Sequence, residues 1–139
     1  MLHGLGLPVY RTPDEHGYLL TINVKREVVA VFIDTAGAFH GFLWHSGIFE
    51  SIDVPGAVGT LACGINNRGE TVGTYCSAVR CDITLNNKHG FMLRRGAFTV
   101  FDFPDADTTW PFSISARGEI AGGYKDKNGQ HHAFPLNSR

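Results

Sequence analysis

The stretch that decides the fold is residues 64–75, which read GINNRGETVGTY. It recurs at residues 113–124 as SISARGEIAGGY, and a more diverged copy stands at residues 21–32 as TINVKREVVAVF. The isoleucines at 22, 65 and 114 place the copies 43 and 49 residues apart. A repeated period of this size predicts a repeat architecture, in which one supersecondary unit cannot bury its apolar face alone.

A second phrase follows each copy. It reads HGFLW at residues 40–44, HGFML at 89–93 and HAFPL at 132–136. Turn signals divide the second repeat into four short apolar and β-branched runs, at residues 61–65, 70–75, 89–93 and 98–103. Short glycine-containing links join the first run to the second and the third to the fourth, as in β-hairpins. The sequence therefore predicts an all-β protein with four antiparallel strands per repeat.

A proline-led crossing follows the fourth run, beginning at Pro55 and Pro104. Proline cannot donate to a strand ladder, so it ends one unit and sends the chain to the next. Four antiparallel strands in 40–50 residues are typical of a β-propeller blade. We predict a single repeat domain over residues 1–139, with blades at residues 17–54, 60–103 and 111–136.

The third blade has three runs where the other blades have four. Residues 7–12 align with the fourth strand of the other repeats, so residues 1–12 are predicted to form a closing strand that completes the last blade. Three blades are fewer than the roughly four to eight of propellers. Two chains are therefore expected to form a six-bladed homodimer, which removes exposed strand edges. A β-trefoil, which also has three four-stranded repeats, is the alternative fold.

The phrases resemble the HAF-type repeat of bacterial exported proteins. The resemblance lies in INxxGxxVGxY at residues 65–75, HGFLW at 40–44 and GxFxxxDxPGA at 47–57. It implies a propeller-like fold and an exported bacterial protein, without implying an activity. The start of this chain does not read as a signal peptide, because it lacks a charged segment ahead of its apolar residues.

Composition excludes some function classes. The net charge is −1 and the basic residues form no stripe, which argues against a nucleic-acid partner. No apolar run approaches the roughly 18 residues of a membrane span. The 17 glycines fit a turn-rich all-β protein.

Histidines and aspartates are predicted to gather on one rim, where the longer loops meet. His40, His89 and His132 open the third strand of each repeat, and with Asp105 they are candidate ligands for a divalent metal of the calcium or zinc class. The alternative is that each histidine caps a hairpin by hydrogen-bonding the carbonyl group of a neighbouring loop.

His16 and Asp107 lie in crossings that lead into inner strands. They are candidate catalytic residues, since a metal-bound water next to a histidine can attack an ester. Asx turns after a proline are the alternative explanation for Asp105 and Asp107.

Trp110 and His131 are candidate contacts for a small molecule or glycan, with Trp110 expected as an exposed stacking surface on the rim. Cys76 and Cys81 either close a short disulfide loop or remain free thiols. Cys63 is predicted to be a small core residue.

Two functions follow from these patterns. The first is a metal-assisted hydrolase of ester, phosphoester or glycosidic bonds. The second is a non-catalytic module that binds a carbohydrate or protein and assembles with itself.

Overall fold

The computed structural model describes residues 16–77 and 87–137, with side chains from residue 21 to residue 135 outside the gap. Strands form this part of the chain, in the order β1 (His16–Ile22), β2 (Val28–Ile33), β3 (Phe39–His45), β4 (Ile48–Ile52), β5 (Gly59–Ile65), β6 (Thr71–Cys76), β7 (His89–Arg94), β8 (Ala97–Phe101), β9 (Ala106–Ile114), β10 (Glu119–Asp126) and β11 (His131–Asn137). The all-β prediction is confirmed. Within the described ranges there is no helix long and apolar enough to cross a membrane.

The strands form three antiparallel sheets, one for each repeat. The first has the order β1-β2-β3-β4, the second β5-β6-β7-β8 and the third β11-β10-β9. Within each sheet, strands that are consecutive in sequence pair with one another, as in hairpins. The predicted closing strand, residues 1–12, lies outside the described residues.

The first hairpin of every repeat has the same left-handed turn. Gly69 and Gly118 have φ of 79° and 86°, and Arg26, which replaces glycine in the first copy, has φ of 63°. A side chain of the turn accepts two backbone N–H groups in each copy, as Asn66 Oδ1 does from Arg68 and Glu70. This Asx-type bonding fixes the turn without requiring glycine.

The same turns connect the sheets through a ladder of side-chain hydrogen bonds. Asn23 Nδ2 donates to the carbonyl oxygen of Asn66 at 2.8 Å, and Asn66 Nδ2 donates to that of Ser115 at 2.8 Å. The side chain of Ser115 has no amide group to donate, so the ladder ends at the third sheet. The repeated asparagine therefore sets the spacing between consecutive repeats.

Consecutive sheets pack face to face through apolar side chains. We define the leading face of a sheet as the face turned towards the next sheet along the chain. Val29, Ile52 and Val54 of the first leading face pack with Ala62, Ile65 and Phe91 of the second sheet. Val72 of the second leading face packs with Ile114 and Ile120 of the third sheet. Two of the three core clusters are thus equivalent interfaces between sheets, and the third consists of Val28, Ala30, Phe42 and Trp44 on the opposite face of the first sheet.

Small residues allow the second and third sheets to approach closely. A Cβ added at Gly64 would lie 2.6 Å from the carbonyl oxygen of Phe112 and 3.0 Å from Ser113 Cα. Both neighbours are backbone atoms, so a side chain at residue 64 would require the sheets to move apart.

One predicted boundary is wrong. The crossing after the second blade was expected to continue to residue 111, but β9 already begins at Ala106. Pro111 lies inside this strand, opposite Gly122, where the register shifts. A bulge of this kind accommodates a residue that has no N–H to donate.

Candidate functional site

The repeated histidines are each bound to an aspartate. His40 lies between two carboxylates, with Nε2 2.9 Å from Asp34 Oδ2 and Nδ1 2.9 Å from Asp53 Oδ1. His89 Nδ1 lies 2.8 Å from Asp102 Oδ1, and His132 Nε2 lies 2.8 Å from Asp126 Oδ2. We call these contacts the His–Asp bridges. They resemble the predicted capping role, with loop carboxylates in place of loop carbonyls.

An aromatic ring lies against each of these histidines. Phe32 stacks on His40 with ring centroids 4.8 Å apart, and Tyr124 stacks on His132 at 4.7 Å. Tyr75 lies against His89 at 5.2 Å in a tilted arrangement. The three aromatic residues occupy the same repeat position on the second strand of each sheet. Each imidazole is therefore fixed both by a carboxylate and by a ring.

Two of the aspartates also organise their own loops. Asp34 Oδ1 accepts the backbone N–H groups of Ala36 and Ala38, both at 2.9 Å. Asp126 Oδ1 accepts those of Asn128 and Gln130 at the same distance. One carboxylate thus closes a turn with one oxygen and holds a histidine with the other. Ser77 occupies the equivalent position in the second repeat.

The bridges of the first and third repeats shift the pKa values of Asp34, His40 and Asp126. The hydrogen bond from His40 and the bond from the Ala38 N–H lower the pKa of Asp34. Partial burial opposes protonation of His40, but its bonds to Asp34 and Asp53 outweigh that effect and raise its pKa. The hydrogen bond from His132 lowers the pKa of Asp126. Hydrogen bonding to the charged form is the common cause.

The candidate metal ligands are distributed over different sheets. His40, His89 and His132 belong to β3, β7 and β11, and each is bound to a carboxylate of its own repeat. Asp105 is exposed in a turn, with φ of 61°. No group of three or more His, Cys, Asp or Glu within the described ranges is placed to hold a metal ion. The metal site and the hydrolase activity remain predictions.

The candidate catalytic pair is described only in part. Asp107 is exposed near the start of β9, whereas the side chain of His16 lies outside the described residues. Their convergence therefore remains a prediction.

Trp110 and His131 do lie together, but not as expected. Their rings meet edge to face with centroids 5.7 Å apart. Trp110 is only 6% exposed, because it belongs to β9 and its ring lies over Gly123, at 3.6 Å from a Cβ added there. The prediction of an exposed stacking surface at Trp110 is wrong, while His131 is exposed.

The cysteines have two different roles. Cys76 is disulfide-bonded, and Cys81, the candidate partner, lies outside the described residues. Cys63 is free, and burial raises the pKa of its thiol to about 12. Such a thiol is not ionised at neutral pH, so Cys63 is not an activated nucleophile.

Sequence reasoning missed the partners Asp53 and Asp102. Both follow their histidine by 13 residues. This spacing, repeated in two copies, is the signal that would have identified them.

No family model, curated protein or solved structure matches this chain. The resemblance to HAF-type repeats depends on the repeated phrases alone.

Proposed function

We propose that this chain is a propeller-type assembly and binding module, complete as a ring of six sheets formed by two copies. The observation that carries the proposal is a difference between equivalent residues. Val29 and Val72 are 0% exposed on the first and second leading faces, whereas Ala121, at the same repeat position of the third, is exposed. The leading face of the third sheet has no following sheet among the described residues.

An open groove of about 410 Å³ lies on that face. Its lining is made of small side chains with an aromatic residue and two histidines at the sides: Phe112, Ser113, Ala121, Gly122, Gly123, His131, His132 and Ala133. Phe112 is among the exposed large hydrophobic residues. The equivalent faces of the first two sheets are covered by the next sheet. A second copy of the chain is the occupant that the repeat favours.

The outer edge of the third sheet supports the same proposal. This sheet has three described strands where the other two sheets have four, and β11 is its outer strand. An outer strand that has no second partner among the described residues is a site for strand addition. Residues 1–12, from the same chain or from the second copy, are the proposed partner of β11.

The ligand-binding part of the proposal concerns the rim. The His–Asp bridges tie the loop before the third strand to that strand in the first and third sheets. Loops held on a rigid scaffold are where binding residues are commonly placed. A glycan or protein that contacts these loops is the proposed ligand class.

The assembly is tested by light scattering. We expect a mass twice the 15.2 kDa of the chain. Ala121→Lys should give a folded monomer, because an unpaired ammonium group would be buried in the interface. The matched control is Ala116→Lys, which adds the same charge in an exposed turn and should leave the dimer intact. A wild-type monomer, or an Ala121→Lys dimer of unchanged stability, would contradict the proposal.

A further inference from the structure

A small basic pocket lies at the hairpin turns of the second sheet, at the opposite end of β7 from His89. It is lined by Arg68, Glu70, Arg94 and Arg95 and has a volume of about 180 Å³. Three guanidinium groups and one carboxylate give it two positive charges in excess.

The carboxylate at the base of the pocket is already fully engaged. Glu70 is 5% exposed, its Oε1 accepts Asn66 Nδ2 at 2.7 Å, and its Oε2 accepts Arg94 Nε at 3.1 Å. This arrangement fixes the direction of Arg94 and leaves its two terminal nitrogens for other acceptors. Arg68 and Arg95 form no ion pair with any residue of the described ranges.

The repeat provides an internal comparison for these arginines. The first repeat has the same Asn–Glu pair, with Asn23 Nδ2 2.6 Å from Glu27 Oε1, yet it has His45 and Ser46 where the second has Arg94 and Arg95. The scaffold therefore folds without the two arginines.

The backbone conformation at residue 95 also does not explain why an arginine stands there. Arg95 and Gly96 have φ of 51° and 79°, a turn that favours asparagine and glycine. Arginine at this position adds charge and donors, and does not improve the turn.

We propose that this pocket binds an oxyanion of the phosphate or sulfate class, either free or as a substituent of a larger molecule. Guanidinium groups match such an anion with paired N–H donors. One opposing charge lies nearby, since Glu27 Oε1 is 3.9 Å from a Cβ added at Gly69. Glu27 Oε1 accepts a hydrogen bond from Asn23 Nδ2. When this carboxylate is counted with Glu70, the three arginines still leave the pocket with one positive charge in excess.

The test is calorimetric titration of the purified protein with inorganic phosphate and sulfate, at an ionic strength held constant with chloride. We expect saturable binding of one anion per chain. Arg95→Ser, which copies the first repeat, should weaken it about tenfold. Arg117→Ser is the matched control, because Arg117 occupies the position of Arg68 in the third repeat and its loss should leave the affinity unchanged. Thermal unfolding should show both variants folded.

Absence of saturable binding, or equal weakening in the two variants, would overturn the proposal. A second titration compares a sulfated or phosphorylated oligosaccharide with its unmodified form. Tighter binding of the modified sugar than of the inorganic anion supports a substituent as the ligand, and equal affinity supports the free anion. Equal binding of modified and unmodified sugar would also count against the site.

Discussion

His40 Nδ1 lies 2.9 Å from Asp53 Oδ1, and this pair joins the start of the third strand to the end of the fourth. The second repeat reproduces the contact between His89 and Asp102 at 2.8 Å. A residue that recurs with its partner at a fixed spacing belongs to the architecture of the repeat. The bridge at His40 shifts the pKa values of His40 and Asp34, so the stability of this fold should depend on pH.

The first prediction concerns the pH dependence of stability. The pKa of His40 is raised above its ordinary value of 6.5, so its bridge stabilises fully below that pH and is lost as pH rises through the raised value. The pKa of Asp34 is lowered from 3.8, so its contribution is complete above that pH and is lost as pH falls through the lowered value. Stability should therefore be greatest between these limits.

Urea unfolding measures this effect. His40→Gln should lower the free energy of unfolding by about 1 kcal/mol near pH 6, a value that allows for solvent screening of a half-buried pair. It should also reduce the decline of that free energy between pH 6 and pH 8. His45→Gln is the control, because His45 forms no bridge to an aspartate in the described part of the chain. If the free energy of unfolding of His40→Gln declines towards pH 8 as steeply as that of the wild type, groups other than His40 cause the decline.

The second prediction concerns the ladder between sheets. Asn66→Ser copies Ser115, so it keeps the turn but removes the amide that donates to Glu70 and Ser115. Asn66 is buried, and its loss leaves Oε1 of the buried Glu70 without this donor, at a cost of about 1–3 kcal/mol in the free energy of unfolding. Asn23→Ser, at the half-buried end of the ladder, should cost less. Equal costs from urea titrations would refute the role of burial.

The third prediction concerns the close approach of the second and third sheets. Gly64→Ala should destabilise the protein by about 1–3 kcal/mol, since the new methyl group meets the backbone of Phe112 and Ser113. Gly123→Ala is the control on the leading face of the third sheet, where the nearest atom is the His132 carbonyl oxygen at 3.2 Å. The thermal midpoint should fall further for Gly64→Ala, and the reverse order would contradict the packing.

The strands were predictable from sequence because glycine turns and apolar runs mark them in each copy. The start of β9 was not predictable, because Pro104 and Pro111 both indicate a crossing. The register shift opposite Gly122 explains how a proline lies within the strand. The prediction that Trp110 is exposed was wrong for the same reason. Residues assigned to a loop were expected at the surface, whereas the strand places the ring over Gly123.

The site was predictable only in part. The repeated positions of His40, His89 and His132 indicated a shared role, but sequence alone could not choose between a metal and a cap. That choice depends on whether the carboxylates of one repeat reach their own histidine, which is a property of strand pairing. Asp53 lies beside His40 because Gly41 pairs with Ile52 in the adjacent register.

The last prediction concerns the thiols. Because burial raises the pKa of Cys63 to about 12, its thiol stays protonated at pH 8 in the native protein. Iodoacetamide should therefore leave the native protein unmodified. In urea without reductant it should add one group, at Cys63, because Cys76 is disulfide-bonded. After reduction it should modify all three cysteines, as read by intact mass.

Peptide mapping then tests the predicted pairing of Cys76 with Cys81. Three modified cysteines in urea without reductant would show that Cys76 is free, and rapid modification of the native protein would show that Cys63 is accessible. Cys63→Ser is the control for assignment, since it should abolish the single modification in urea and leave the disulfide intact.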